Sequence, residues 1–303
     1  MARTDVTQVI ERIRRQLNST VRLEVSTLGS SLTTTTNPVT LTYDLPNSLR
    51  PGAILAVGTE LMRVISVDTG AKEATVLRCY MDTDPEAHAS GDEVQINPRF
   101  TRFDIFDGII QEIDSWEPDI FTVSDWTTTV TDTTQGVEVP AAYANAMGVV
   151  SVNRNYTEDS STVWPHMGFT LYRGRSASLT PTEGTGMFIR FTDNTGYARA
   201  AGNVVVRMAM PYDSSAVTED SDLDTILVTR GLLEVIELGV KARLLADDEV
   251  GRSARGPQDE PRRAEEVQGG QALTLGQTFL QRYDRRRAQE VRRLRTIHPF
   301  QQW

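Results

Sequence analysis

Between Arg282 and Arg295 seven arginines crowd onto a stretch with helical spacing, leaving only a broken apolar seam of Leu280, Tyr283, Val291 and Leu294. A helix charged on nearly every side has no broad face to bury against its own chain. Residues 251–303 carry 11 arginines and 6 acids, whereas residues 1–250 carry 20 bases and 35 acids, so the charge reverses near the end. The helix runs into Ile297, His298, Pro299, Phe300 and Trp303. Arginine combined with aromatic residues is the composition of interface hot spots. The sequence therefore predicts a docking limb with Phe279, Tyr283, Arg285, Arg286, Arg287, Arg292, Arg293, Arg295, Ile297, Phe300 and Trp303 as contact residues. Two other readings stay open. Phe279, Tyr283 and Phe300 could cover the chain's own helices, or the arginines could contact DNA phosphates, which salt would abolish.

With 39% hydrophobic and 24% charged residues over 303 positions, the chain has the composition of a globular protein with two or three domains. One cysteine, Cys79, excludes an intrachain disulfide framework and a thiolate metal cluster; it reads as a small residue in a strand. No apolar run reaches the roughly 20 residues of a membrane span, and the first residues lack a signal-peptide core. The expectation is an aqueous, reducing compartment with no membrane. A net charge of −10 argues against broad nucleic-acid binding.

Thr4 is placed to cap a first helix with Val6, Val9, Ile10, Ile13 and Leu17 on one face. From Val21 the apolar period switches to two, and residues 21–97 read as a small antiparallel β unit with turns at Gly58, Gly70 and Gly91. Thr101 and Asp104 form a capping box for a helix within 98–119. Residues 120–212 alternate in short runs and predict a β-sandwich or jelly-roll-like domain. Ser221 and Asp224 form a second capping box, opening a long helix that lies within 213–250. Residues 251–272 have the composition of a flexible connector, and Thr274 with Gln277 caps the last helix within 273–303. The expected fold class is α+β, a helical bundle core with two β insertions and an extended C-terminal helical tail.

The sequence contains no P-loop, dinucleotide fingerprint, G-x-S-x-G elbow or H-E-x-x-H. His88, His166 and His298 fall in three different predicted units. No catalytic residue, cofactor or metal is assigned, and the chain is expected not to be an enzyme. Asp82, Asp84, Glu86 and Asp92 cluster around a loop, either solvated or as calcium ligands. Asp247, Asp248 and Glu249 end the long predicted helix, where they form either an acidic docking face for another molecule's arginines or a frayed terminus. Trp126, Trp164, Tyr172 and Tyr197 are core aromatics or, on a carbohydrate- or receptor-binding reading, stacking platforms.

The run Glu60-Leu61-Met62-Arg63-Val64, then Val67-Asp68, Thr75-Val76-Leu77-Arg78, Ala87-His88-Ala89-Ser90-Gly91-Asp92-Glu93-Val94 and Asn97-Pro98-Arg99-Phe100-Thr101-Arg102-Phe103-Asp104-Ile105, resembles head-to-tail connector (adaptor) proteins of tailed bacteriophages. These are siphophage neck proteins of the actinobacteriophage kind. The resemblance covers about residues 54–117; Cys79-Tyr80-Met81-Asp82 departs from it where a glycine-containing turn is expected, and smaller adaptors lack a domain like 120–212. It implies a structural virion protein at the neck, assembled in the host cytoplasm and forming a dodecameric ring under the portal. The implied partners are the portal protein, a stopper or other tail-proximal neck protein, and further copies of itself. DNA would pass through the channel without sequence-specific binding. A stopper or tail terminator is the related alternative.

Overall fold

The computed structural model describes residues 5–17, 24–34, 39–42, 49–131, 136–155, 167–173, 186–192, 202–254 and 271–302. Thr4, Val21, Leu23, Tyr43, Trp164, His166, Tyr197, most of the 251–272 connector and Trp303 lie outside them. The chain divides into two compact units, residues 1–112 with 215–284, and residues 113–214 with 285–303.

In the first unit six strands pair antiparallel: β1 (Glu24–Thr27), β2 (Val39–Thr42), β3 (Ile54–Val57), β4 (Glu60–Asp68), β5 (Glu73–Leu77) and β6 (Glu93–Ile96), in the order β1-β6-β3-β4-β5-β2. Alternation puts Leu41, Leu55, Met62, Val64, Val76, Val94 and Ile96 into one core with Leu28 and Leu32. A register shift between Val64 and Ser66 bends the longest strand.

At the head of β4 stands a fully buried carboxylate, Glu60. It receives Arg78 through Nε at 2.7 Å and through Nη2, Glu86 N–H at 3.1 Å, and lies 2.9 Å from His88 Nε2. Arg78 also donates to the carbonyls of Thr33 and Glu86, and the His88 backbone pairs with Leu32. Burial alone would raise the Glu60 carboxyl; the hydrogen bonds from Arg78, His88 and Glu86 outweigh it and hold the group at about 2, against 4.5 unperturbed.

Four described helices belong to this unit wholly or in part. The 12-residue α1 (Val6–Leu17) buries Val6, Val9, Ile10, Ile13 and Leu17 as the spacing predicts. Its described cap is Asp5, whose Oδ1 accepts from Thr7 N–H at 2.9 Å. In α2 (Arg102–Asp114) the predicted capping box forms, Thr101 N–H to Asp104 Oδ2 and Asp104 N–H to Thr101 Oγ1, both 2.9 Å. The long helix expected from 222 instead begins as a 3-10 turn, Leu223–Ile226, capped by Asp222 and stopped by Leu227 at φ 64°; α3 follows at Arg230–Ala254.

In the second unit the described strands form two antiparallel sheets. One has the order β13-β9-β12-β7, built from β7 (Thr122–Val130), β9 (Gly148–Asn155), β12 (Gly202–Met210) and β13 (Gln301–Gln302). The other has the order β10-β11-β8, from β8 (Gly136–Glu138), β10 (Phe169–Arg173) and β11 (Met187–Phe191). Val149, Val152, Val204, Val206 and Met208 of the first share a core with Met187 and Ile189 of the second.

The expected helical bundle core with β insertions is corrected. Helices do form near the predicted places, but α2 and the last helix, α4 (Gln271–Ile297), each contribute residues to both units, and the two sheet-centred clusters are cores in their own right. The physical reason is area: helices with single apolar stripes bury one face each, while paired sheets bury a face per strand along continuous ladders. Cys79 is corrected as well. It sits at φ 55° before a 3-10 turn, with Met81 at φ 58°, and not in a strand. Those two left-handed residues occupy the turn where the resemblance led us to expect glycine.

Replacing Glu60 with Gln should cost the fold about 3 kcal/mol, because it leaves Arg78 buried without its counter-charge. Urea unfolding would read this, and equal midpoints for variant and wild type would refute it. Glu60 titrates lower in the folded state than in the unfolded chain, so its contribution is complete above about pH 4.5 and vanishes as pH falls toward 2.

Candidate functional site

The predicted docking residues lie on α4 and the segment after it, and the structure sorts them into two groups. Tyr283 is buried, its ring against Gly239 of α3, where a Cβ would stand 2.9 Å from Cε2 and closer still to the Glu112 carboxylate. Only a residue without a side chain lets α2's Glu112 and α4's Tyr283 meet at that point of α3. A groove of about 380 Å³ opens beside them, lined by Ala242, Leu245, Ala246, Gly276, Gln277 and Leu280. Phe279 is half-buried, with Lys241 Nζ 5.8 Å from its ring centroid.

Farther along α4, four arginines are held by their own chain. Arg287 donates to the Ser115 carbonyl at 2.9 Å. Arg295 reaches Asp119 at 2.7 Å. Arg286 and Arg293 flank the buried Glu290 at 3.4 and 2.6 Å. Leu294, between Arg293 and Arg295 in sequence, is buried. Past the helix, the Phe300 ring meets Phe121 edge-on at 4.6 Å, and Gln301 and Gln302 pair with Val149 and Gly148 at the edge of β9.

The second group is exposed. Arg285 and Arg292 lie on the solvent side of α4, as does Arg282, and their side chains engage no described residue. Ile297 is 55% exposed. Asp247 is exposed within α3, and Asp248 and Glu249 also lie inside that helix, which continues to Ala254; the expectation that this acidic run ends the helix is corrected, and the last two side chains lie outside the described residues. Thr274 is likewise inside α4 and not its cap, since the helix starts at Gln271.

Residues that sequence reasoning passed over supply most of the geometry: Asp119, Phe121, Glu290, Glu112, Gly239, and Trp116 packed edge-on against Tyr212 at 5.0 Å. Burial pushes the Tyr212 phenol up to about 12, against an opposing pull from Arg293. The one available signal was the aromatic density of residues 116–126. At the base of the tail, burial first and then Arg207 and Arg293 lower the His298 imidazole, while Asp125 opposes them. Asp125 itself is paired two-pronged with Arg207 at 2.7 and 2.8 Å, which holds its carboxyl below its ordinary value.

Other candidates resolve locally. Glu86 accepts from Thr59 Oγ1 at 2.6 Å and Asp92 from Ala89 N–H at 2.8 Å, and among the described residues no group of three His, Cys, Asp or Glu could hold a metal ion. Trp126 lies 6.4 Å from Tyr143, packed against the second unit's core, and Tyr172 is half-buried on β10. No described helix is long and apolar enough to cross a membrane.

Truncating Phe300 to Ala should free the C-terminal strand. Amide hydrogen exchange at Val149 and Gln301 is expected to quicken about tenfold, the equivalent of one aromatic contact; unchanged exchange would show that the strand pairing needs no help from the ring. Comparisons with protein-family models and with curated proteins found no match for this chain.

Proposed function

We propose that this chain is a structural, non-enzymatic virion subunit, a head-to-tail adaptor that joins the capsid portal of a tailed bacteriophage to its tail and, as a ring of identical copies, forms part of the DNA channel. The resemblance over residues 54–117 supports the setting. The observation that carries the reading is the small seat of the C-terminal segment. Among the described residues the Gln301–Gln302 ladder on β9 and the Phe300 ring on Phe121 seat this segment, while Tyr283, Glu290 and Leu294 root the helix itself. A short segment beyond a firmly rooted helix can transfer to a partner when each contact given up is replaced on the portal. The acidic body serves the same role, since a channel wall that repels phosphate lets DNA slide through while arginines serve protein contacts.

Deleting Pro299–Trp303 should leave a folded subunit, with unchanged far-ultraviolet circular dichroism, that no longer co-purifies with portal protein. Portal capture equal to that of the full chain would overturn the reading.

A further inference from the structure

Arg285, Gln289 and Arg292 stand at i, i+4 and i+7 on α4, which places them on one stripe with the two arginines about 10 Å apart. All three are exposed, and the two guanidinium groups engage no described residue. This is the face opposite the one that buries Tyr283, Glu290 and Leu294. On α2 the same pattern recurs with the sign reversed. Asp107, Gln111 and Asp114 stand at i, i+4 and i+7, all exposed, with the carboxylates at the same spacing. Gln111 donates to Asp107 at 2.6 Å and accepts from Arg243 at 2.9 Å, and the Asp114 carboxylate engages no described residue. No ion pair among the described residues joins the two stripes within one chain.

We propose that the Arg285, Gln289, Arg292 stripe of one copy docks on the Asp107, Gln111, Asp114 stripe of a second copy. Equal spacing lets both arginines meet both aspartates in one register, and the middle glutamines, Gln289 accepting from Arg286 at 3.3 Å, put no opposing charge between them. Because donor and acceptor stripes are different surfaces of the same molecule, the contact is head-to-tail and propagates until a rotation closes it into a ring. The inference deepens the adaptor reading by naming the surfaces between copies, yet its readout is self-association and not portal capture.

Full-length chains carrying R285D/R292D or D107R/D114R test it by sedimentation. The wild type is expected to associate, and each variant alone should do so at least tenfold more weakly, since all its stripes carry one sign. Mixing the two variants should restore association, because their charges then alternate from copy to copy; all four positions are exposed, so folding is expected to survive and circular dichroism checks it. A wild type that stays monomeric at low salt, a variant that associates normally, or a mixture that fails to rescue would each overturn the proposal. So would association of the wild type with duplex DNA that R285D/R292D abolishes while self-association is untouched. Loss of portal capture on deleting the tail, with self-association intact, bears on the adaptor reading alone.

Discussion

A single carboxylate with no solvent contact organises the half of the molecule built from residues 1–112 and 215–284. Glu60 opens β4, and around it gather the end of β5 through Arg78, the following turn through the Glu86 amide, and the returning segment through His88. Sheet ladders position strands, yet the stretch from Cys79 to Asp92 has little ladder of its own. Its path is fixed by charge. Arg78, bonded also to the Thr33 and Glu86 carbonyls, carries that constraint to the loop beyond β1. An ion pair this deep contributes little net stability compared with an apolar replacement, but once present neither partner can leave without stranding the other. That is a specification of shape more than a source of stability.

What the sequence made legible was whatever depends on near neighbours. The Thr101 and Asp104 capping box, the buried face of α1 and the alternation through β4 and β5 needed only spacings of two to four residues. The Glu60 cluster did not show, because its partners stand 18 and 28 positions away and each looks like an ordinary surface residue by itself. Leu227 and Cys79 were opaque for another reason. Both adopt left-handed backbone without being glycine, so composition gave no sign of a break. The bundle expectation failed because helix number and amphipathicity describe the helices alone, whereas the partition of the cores depends on where each strand finds its partner. Functional residues were half legible: arginine density marked α4, but the division between anchored and unengaged guanidiniums rests on Ser115 and Asp119, some 172 and 176 residues earlier.

That division gives α4 its logic. A fully apolar face would have sealed the helix to its chain, and a fully charged one would have left it adrift. Tyr283, Glu290 and Leu294 provide the grip on one side, Arg286 and Arg293 satisfy the buried Glu290, and on the opposite side the exposed Arg285 and Arg292 engage no described residue. The same residue type thus serves attachment and outreach, sorted only by position around the helical turn.

Gly239 has a bearing on how such a molecule can drift over generations. In the middle of a helix a glycine is a poor choice on propensity alone, yet here the space above it is filled by a carboxylate from α2 and a ring from α4. Positions 112, 239 and 283 are accordingly tied together like the wards of a key: any lineage that enlarges the residue at 239 has to move both the Glu112 carboxylate and the Tyr283 ring in the same step.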